Sequence, residues 1–134
     1  MWRSLWCQTV PLTGAVVVST PSDVSLEDAR KALEMFAQVN VEVLGIVENM
    51  SHFTCPHCHN EIDIFSRGGA ERTATQFNVP FLGAIELIPA IREGGDGDCP
   101  WRWPDRRARR RPAFYSIAEK VMEQAEKAAP RRRM

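Results

Sequence analysis

Apolar runs alternate with amphipathic segments along this chain, a pattern typical of a sheet whose strands are joined by helices. Residues 14–20, Gly-Ala-Val-Val-Val-Ser-Thr, form a continuous run rich in β-branched residues, which predicts a strand buried on both faces of a parallel sheet. Apolar positions then recur at helical spacing from Leu26 to Gln38, predicting an amphipathic helix with Ser25 as its N-cap. A second apolar run, Val41 to Val47, predicts the next strand.

The alternation resumes after an interruption at residues 49–65. A short helix is predicted from Gly69 to Phe77, a third strand from Pro80 to Ile85, and a last helix from Ala113 to Ala128. Strand, helix and strand in succession form a βαβ unit with parallel strands, so the fold class is α/β. Because the sheet has only three good strand candidates and the first lies near the N-terminus, we expect them to be part of a larger sheet.

The carboxyl ends of the predicted strands indicate where a ligand would bind. Open α/β sheets bind ligands beyond these ends, which here are residues 20–23, 48–51 and 86–89. We therefore expect any site to be built from these three loops.

Composition excludes some classes of function. The chain has 134 residues, of which 44% are hydrophobic and 25% are charged, as expected for one globular domain. Seventeen basic residues balance seventeen acidic ones, so there is no net attraction to nucleic acid or membrane. No stretch approaches the about 20 apolar residues that span a bilayer, and the first residues lack the apolar core of a signal peptide. We therefore predict a cytoplasmic protein.

We expect the functional residues of the chain in the interruption at residues 49–65, which contains Cys55-Pro-His-Cys58. A tight Cys-x-x-Cys in a reducing compartment indicates metal or redox chemistry more often than a structural role. A redox dithiol needs its first cysteine at a helix N-terminus, whereas the residues after Cys58 alternate like a strand, over about residues 62–65.

Zinc would need one or two of His52, His57 and His59 as further ligands. A 4Fe–4S cluster would need four thiolates, and thus two chains related by a two-fold axis. Spacing alone leaves zinc and cluster open.

The order of the motifs resembles a known family. The segments are Thr9–Lys31, Gly45–Ser51 followed by Cys55–Cys58, and Phe65–Asp96, which includes Phe81-Leu-Gly and Ile91-Arg-Glu-Gly-Gly-Asp96. Together they resemble the Mrp family, the ApbC-like P-loop ATPases of iron–sulfur cluster assembly. The resemblance covers Gln8 to Asp96 and then Ala113 to about Glu126.

The resemblance implies a fold and a cofactor. The fold would be part of the parallel-sheet P-loop NTPase (SIMIBI-like) fold, without its N-terminal strands and P-loop. Cys55 and Cys58, with their counterparts in a second subunit, would hold a bridging 4Fe–4S cluster that is passed to apo iron–sulfur proteins. This favours the cluster over zinc, which stays the alternative.

The resemblance also implies a nucleotide contact. Asn49 would lie near the adenine base, where its amide can both donate and accept hydrogen bonds; the alternative is that Asn49 only caps the strand end. Glu86 and Ile88 depart from the Pro-Leu-Asp-Pro that the family usually has at 86–89.

The phosphate-binding machinery of an ATPase is missing from the sequence. Gly-x-x-x-x-Gly-Lys-Ser/Thr occurs nowhere, and the amides and lysine of that loop bind the phosphates. We therefore assign no catalytic residue and expect negligible ATPase activity, with ATP and magnesium bound only if the missing half is supplied.

Four segments are expected along the chain. Residues 1–7 would be an atypical leader, 8–96 the C-terminal half of an Mrp-type domain, and 113–134 a C-terminal helix and basic tail. Residues 97–112 contain six arginines and two tryptophans, which suggests a pair of compensating frameshifts more than a nucleic-acid site. Neither Cys7 nor Cys99 is given a ligand role. A truncated product without function is a further alternative.

Overall fold

The computed structural model describes residues 10–89, 91, 96 and 112–129. The predictions for the leader 1–7 and for residues 97–111 lie outside the described residues. In chain order the elements are β1 (Ala15–Ser19), α1 (Asp23–Gln38), β2 (Val43–Asn49), β3 (Phe53–Thr54), β4 (Glu61–Ile62), α2 (Gly69–Gln76), β5 (Phe81–Ile85) and α3 (Pro112–Ala128).

Three of the strands form the predicted parallel sheet, in the order β1-β2-β5. β2 is central, and its residues from Leu44 to Glu48 are all buried. The helices α1 and α2 pack on β1 and β2 around one apolar cluster, to which Val17, Leu33, Ile46 and Ala70 belong. Helix α3 packs on β5 and β2. The α/β fold class is therefore confirmed.

Helix α3 approaches β5 closely because of a glycine. A Cβ on Gly83 would lie 2.8 Å from Cγ1 of Ile117, and the φ of Gly83 is +150°, in a region that side chains rarely adopt. Gly83 therefore lets the last helix rest directly on the strand.

The prediction that β1 is buried on both faces is wrong. Val17 is 7% exposed, whereas Val16 is 36% and Val18 is 62% exposed. Side chains alternate between the two faces of a strand, so Val17 faces the α1 side. The opposite face of β1 is not covered by the described residues, and a continuous β-branched run does not reveal what packs on its second face.

The start of α1 was also predicted wrongly. The N-cap is Ser22, whose backbone is extended (φ −69°, ψ 143°) and whose side chain accepts a hydrogen bond from the N–H of Ser25. The carbonyl of Ser22 accepts from the N–H of Leu26 at 3.0 Å. Ser25 thus lies in the first turn, and Asp23 begins the helix, where a carboxylate interacts favourably with the helix dipole.

Within the part of the chain that the structure describes, none of the helices has the length and apolar character needed to cross a membrane.

Candidate metal centre

Cys55 and Cys58 lie at the tip of a small hairpin inserted between β2 and α2. Its strands β3 and β4 are antiparallel, with Thr54 opposite Glu61. The loop is closed by two backbone bonds: the N–H of Cys55 donates to the carbonyl of Asn60 at 3.0 Å, and that of His59 donates to the carbonyl of Cys55 at 2.9 Å. The predicted strand over 62–65 is instead Glu61–Ile62, because only these residues pair with β3. The loop presents both thiols together.

The local backbone favours a thiolate at Cys55. Cys55 is half-buried, Cys58 is exposed, and neither is in a disulfide. The N–H groups of Cys58 and then of His57 donate to the sulfur of Cys55, with a further hydrogen bond from the Cys58 side chain, and these bonds lower the pKa of Cys55. The thiolate is the form that binds metal and acts as nucleophile. Its activation here comes from loop amides, without a helix N-terminus.

The histidines do not complete a metal site with the cysteines. His57 and His59 are exposed, and His52 lies at the base of the hairpin with its Nδ1 2.9 Å from the Ser51 hydroxyl. Across residues 10–89, 91, 96 and 112–129, no group of three His, Cys, Asp or Glu side chains is arranged to hold a metal ion. The zinc alternative would need such a group in one chain.

Backbone bonds attach the hairpin to the end of β5. The N–H of Ser51 donates to the carbonyl of Ile85 at 3.0 Å, and the N–H of Leu87 donates to the carbonyl of His52 at 2.7 Å. A side-chain bond adds to them, because the hydroxyl of Thr54 donates to Oε2 of Glu86 at 3.3 Å. The carboxyl ends of β2 and β5 therefore both support the hairpin, as expected for a site at this edge of the sheet.

A buried carboxylate closes the base of the insertion. Glu48 is only 2% exposed, and its Oε2 accepts a hydrogen bond from the N–H of Ala70 at 3.0 Å. Glu48 ends the buried run of β2 and Ala70 lies in the first turn of α2, so this bond joins the two ends of the segment that carries Cys55 and Cys58. Glu48 was expected only as part of the 48–51 loop and was given no role; a lone acidic residue at the end of an apolar strand was the available signal.

Two further carboxylates, those of Glu61 and Asp63, pair with Arg67 beside the outgoing strand β4. The guanidinium of Arg67 lies 2.7 Å from Glu61 and 2.8 Å from Asp63. The hydrogen bond from Arg67 and its positive charge, with a smaller effect of His52, lower the pKa of Glu61. These groups are exposed, so the pairs orient side chains more than they add stability.

Asn49 lies at the same edge, in a groove of about 500 Å³ beside the end of β1, together with Thr20, Ser25 and Asp28. The side-chain oxygen of Asn49 accepts a hydrogen bond from the N–H of Met50 at 3.0 Å. The structure thus contains the local cap that was the alternative for Asn49, and it also places the residue on a groove.

Comparison with known proteins identifies relatives of the chain. Residues 5–122 match the family model described as NUBPL iron-transfer P-loop NTPase. The iron-sulfur cluster transfer protein NUBPL of Dictyostelium discoideum is 42% identical over 120 residues, which are 90% of this chain and 37% of that protein. The iron-sulfur cluster carrier protein of Synechocystis is 51% identical over 94 residues, 69% of this chain and 27% of that protein.

A solved structure resembles the chain as well. It is the nucleotide-binding protein from Archaeoglobus fulgidus in complex with ADP, with a TM-score of 0.52 and 35% identity over 60% of this chain and 33% of that chain. The chain thus spans only about a third of the length of these relatives.

Proposed function

This chain belongs to the Mrp-type, NUBPL-like family of iron-transfer P-loop NTPases, and on that premise we propose that it carries an iron–sulfur cluster on Cys55 and Cys58 for delivery to apo iron–sulfur proteins. The observation that carries the proposal is the pair of free thiols at the tip of an anchored hairpin, one of them with a lowered pKa. Relatives named for cluster transfer and cluster carriage support it.

The proposed cargo is a 4Fe–4S cluster shared by two copies of the chain. Such a cluster is held by four thiolates, and each hairpin offers two. Two chains related by a two-fold axis would supply the full set. Apolar side chains exposed on and near the hairpin, Met50 at 37% and Ile62 and Ile64 at 48% each, support a contact with a second copy there.

Delivery would proceed by exchange of thiolates. A thiolate of the apo-protein forms a bond to an iron atom while the bond to Cys55 or Cys58 breaks, and no electron is transferred. The chain releases cysteine thiolates, and a sulfur whose pKa is lowered is the better leaving group. Each chain has to give up only two of the four bonds.

We further propose that Asn49 contacts the adenine of a nucleotide bound in the groove beside β1. The solved relative in complex with ADP supports nucleotide binding in this family. No residue of this chain is assigned a catalytic role, and ATP with magnesium would bind only when a phosphate-binding half is supplied by a further segment or chain.

Anaerobic reconstitution with ferrous iron and sulfide tests the carrier function. We expect a brown protein with broad visible absorption that holds about two irons per chain. Replacing both Cys55 and Cys58 with serine should abolish iron uptake, while the matched variant Cys7→Ser/Cys99→Ser should retain it. Zinc binding by one chain without colour, or iron uptake that survives the Cys55→Ser/Cys58→Ser change, would refute the proposal.

A further inference from the structure

We propose that Glu86 is a positioning residue that holds the cysteine hairpin against the end of β5 and so slows the release of its cargo. The proposal rests on the carrier function proposed above, because it concerns the retention of what the hairpin carries. Glu86 follows β5 directly, and its side chain is 30% exposed.

The carboxylate of Glu86 reaches the hairpin next to its first cysteine. Oε2 accepts a hydrogen bond from the hydroxyl of Thr54 at 3.3 Å, a contact between residues 32 apart in sequence. Thr54 immediately precedes Cys55. Any movement of the first cysteine away from the sheet therefore strains or breaks this bond.

The same carboxylate oxygen faces His52, at the foot of the incoming strand. Nε2 of His52 lies 3.6 Å from Oε2 of Glu86, and Nδ1 lies 2.9 Å from the Ser51 hydroxyl. When Nδ1 accepts the Ser51 hydrogen, Nε2 carries the ring hydrogen and directs it toward Glu86. The carboxylate of Glu86 thus lies close to two side chains of the segment that leads to Cys55, those of His52 and Thr54.

The hairpin needs such a support. Its strands have two residues each, and a short two-stranded hairpin is marginally stable in water. The ion pairs of the outgoing strand with Arg67 are exposed and contribute little. Contacts to the rest of the fold therefore decide how often the hairpin opens, and local opening of a loop precedes exchange of the groups it holds.

Three variants of the full chain separate positioning from charge. Glu86→Ala removes the acceptor, Thr54→Val removes the donor with little change of shape, and Glu86→Gln keeps an oxygen that accepts from Thr54. After anaerobic reconstitution we expect equal iron content in all three variants. Glu86→Ala and Thr54→Val should lose iron to a chelator roughly fivefold faster than the parent chain, the effect of one lost hydrogen bond. Glu86→Gln should release iron at the parent rate.

A second readout needs no cargo. Amide hydrogen exchange of the iron-free chain should become faster over residues 53–62 in Glu86→Ala and Thr54→Val, and should be unchanged over β1 and β2. The matched control is Glu123→Ala, which removes an exposed ion pair with Lys127 on α3 and should alter neither readout. Thermal unfolding identifies any variant that has lost its fold, and the other two variants then still decide the question.

Parent-like release and parent-like exchange in Glu86→Ala and Thr54→Val would overturn the proposal. Release from Glu86→Gln as fast as from Glu86→Ala would also overturn it, because the acceptor oxygen would then not matter. If the parent chain took up no iron, the carrier function would fail, while hydrogen exchange in the iron-free chain would still decide whether Glu86 positions the hairpin.

Discussion

The sulfur of Cys55 accepts hydrogen bonds from the N–H groups of Cys58 and His57, which ties its acidity to the shape of the folded loop. In an unfolded chain these amides point elsewhere, so the pKa of Cys55 returns to that of an ordinary cysteine. Because the folded pKa is the lower one, the folded loop gains stability at pH values above the unfolded pKa. That contribution is lost as the pH falls through the folded pKa.

We therefore predict that Cys55 reacts with iodoacetamide at lower pH in the folded chain than in concentrated urea. The rate of alkylation, followed by mass spectrometry of the Cys55 peptide over a pH series, reports the thiolate fraction. A Cys58→Ser variant should keep most of the shift, because the backbone N–H of residue 58 remains. Equal half-reaction pH values in the folded and unfolded chain would contradict the prediction.

Glu48 provides a second test on single residues. Its buried carboxylate accepts from the N–H of Ala70, so Glu48→Ala leaves that N–H without a partner in the interior. We expect a loss of about 1–3 kcal/mol in the free energy of unfolding, measured by urea denaturation of the full chain. Glu48→Gln should lose less, since its amide oxygen can still accept. The exposed Glu34→Ala on α1 is the control and should stay within about 0.5 kcal/mol; a similar value for Glu48→Ala would argue against the bond.

The two faces of strand β1 differ in burial. Val17 and Val18 are neighbours of the same residue type, but one is 7% and the other 62% exposed. Val17→Thr should cost about 1–3 kcal/mol because it buries a hydroxyl in the cluster under α1. Val18→Thr should change stability by less than about 0.5 kcal/mol. Urea denaturation measures both, and equal losses would mean that something covers the Val18 face.

The elements themselves followed well from the sequence. The apolar runs at Val41–Val47 and Pro80–Ile85 and the helical spacing in α1 each depend on residues close in the chain. Their types were predicted correctly, and no end is shifted by more than three residues. The starting point of α1 was missed because both Ser22 and Ser25 are good N-cap residues. Only the fold shows which of the two has the extended backbone.

The candidate site was only partly predictable, for a different reason. A Cys-x-x-Cys is visible in the sequence, but the bonds that hold it join Glu48 to Ala70 and Thr54 to Glu86, which are 22 and 32 residues apart. Such pairs meet only because the carboxyl ends of parallel strands share one edge of the sheet. Glu86 was predicted as part of the 86–89 loop and as a departure from the family pattern, but its contact with the hairpin could not be inferred.

The expected lack of ATPase activity follows from the share of its relatives' length that the chain covers and from the motif that its sequence lacks. The chain spans 37% of one relative and 27% of another, and its sequence lacks the phosphate-binding motif. We predict that the polypeptide by itself has no magnesium-dependent ATPase activity above background, because its sequence lacks the glycine-rich loop whose amides and lysine neutralise the phosphates. Phosphate release measured on the purified chain, with and without magnesium, checks this, and turnover that persists through purification would refute it.

Whether the chain is a functional product can be tested from its association and unfolding in solution. A truncated product without function would aggregate, because the face and edge of β1 that the described residues leave uncovered would associate. A monomer or dimer in analytical ultracentrifugation that unfolds in one cooperative step would argue against it. Residues 97–111 of the arginine-rich segment lie outside the described residues. Sequencing of the gene over residues 97–112 shows whether the proposed frameshifts are present.

In the proposed carrier form, two copies of the chain share one cluster through four cysteine sulfurs. Native mass spectrometry of the anaerobically reconstituted protein tests this sharing, because it weighs chains, iron and sulfide together. We predict a species of two chains with about four irons and four sulfides, which disappears when Cys55 and Cys58 are both serine. Iron bound to single chains, or an iron-loaded dimer that survives the loss of both cysteines, would mean that the cluster is not shared through these sulfurs.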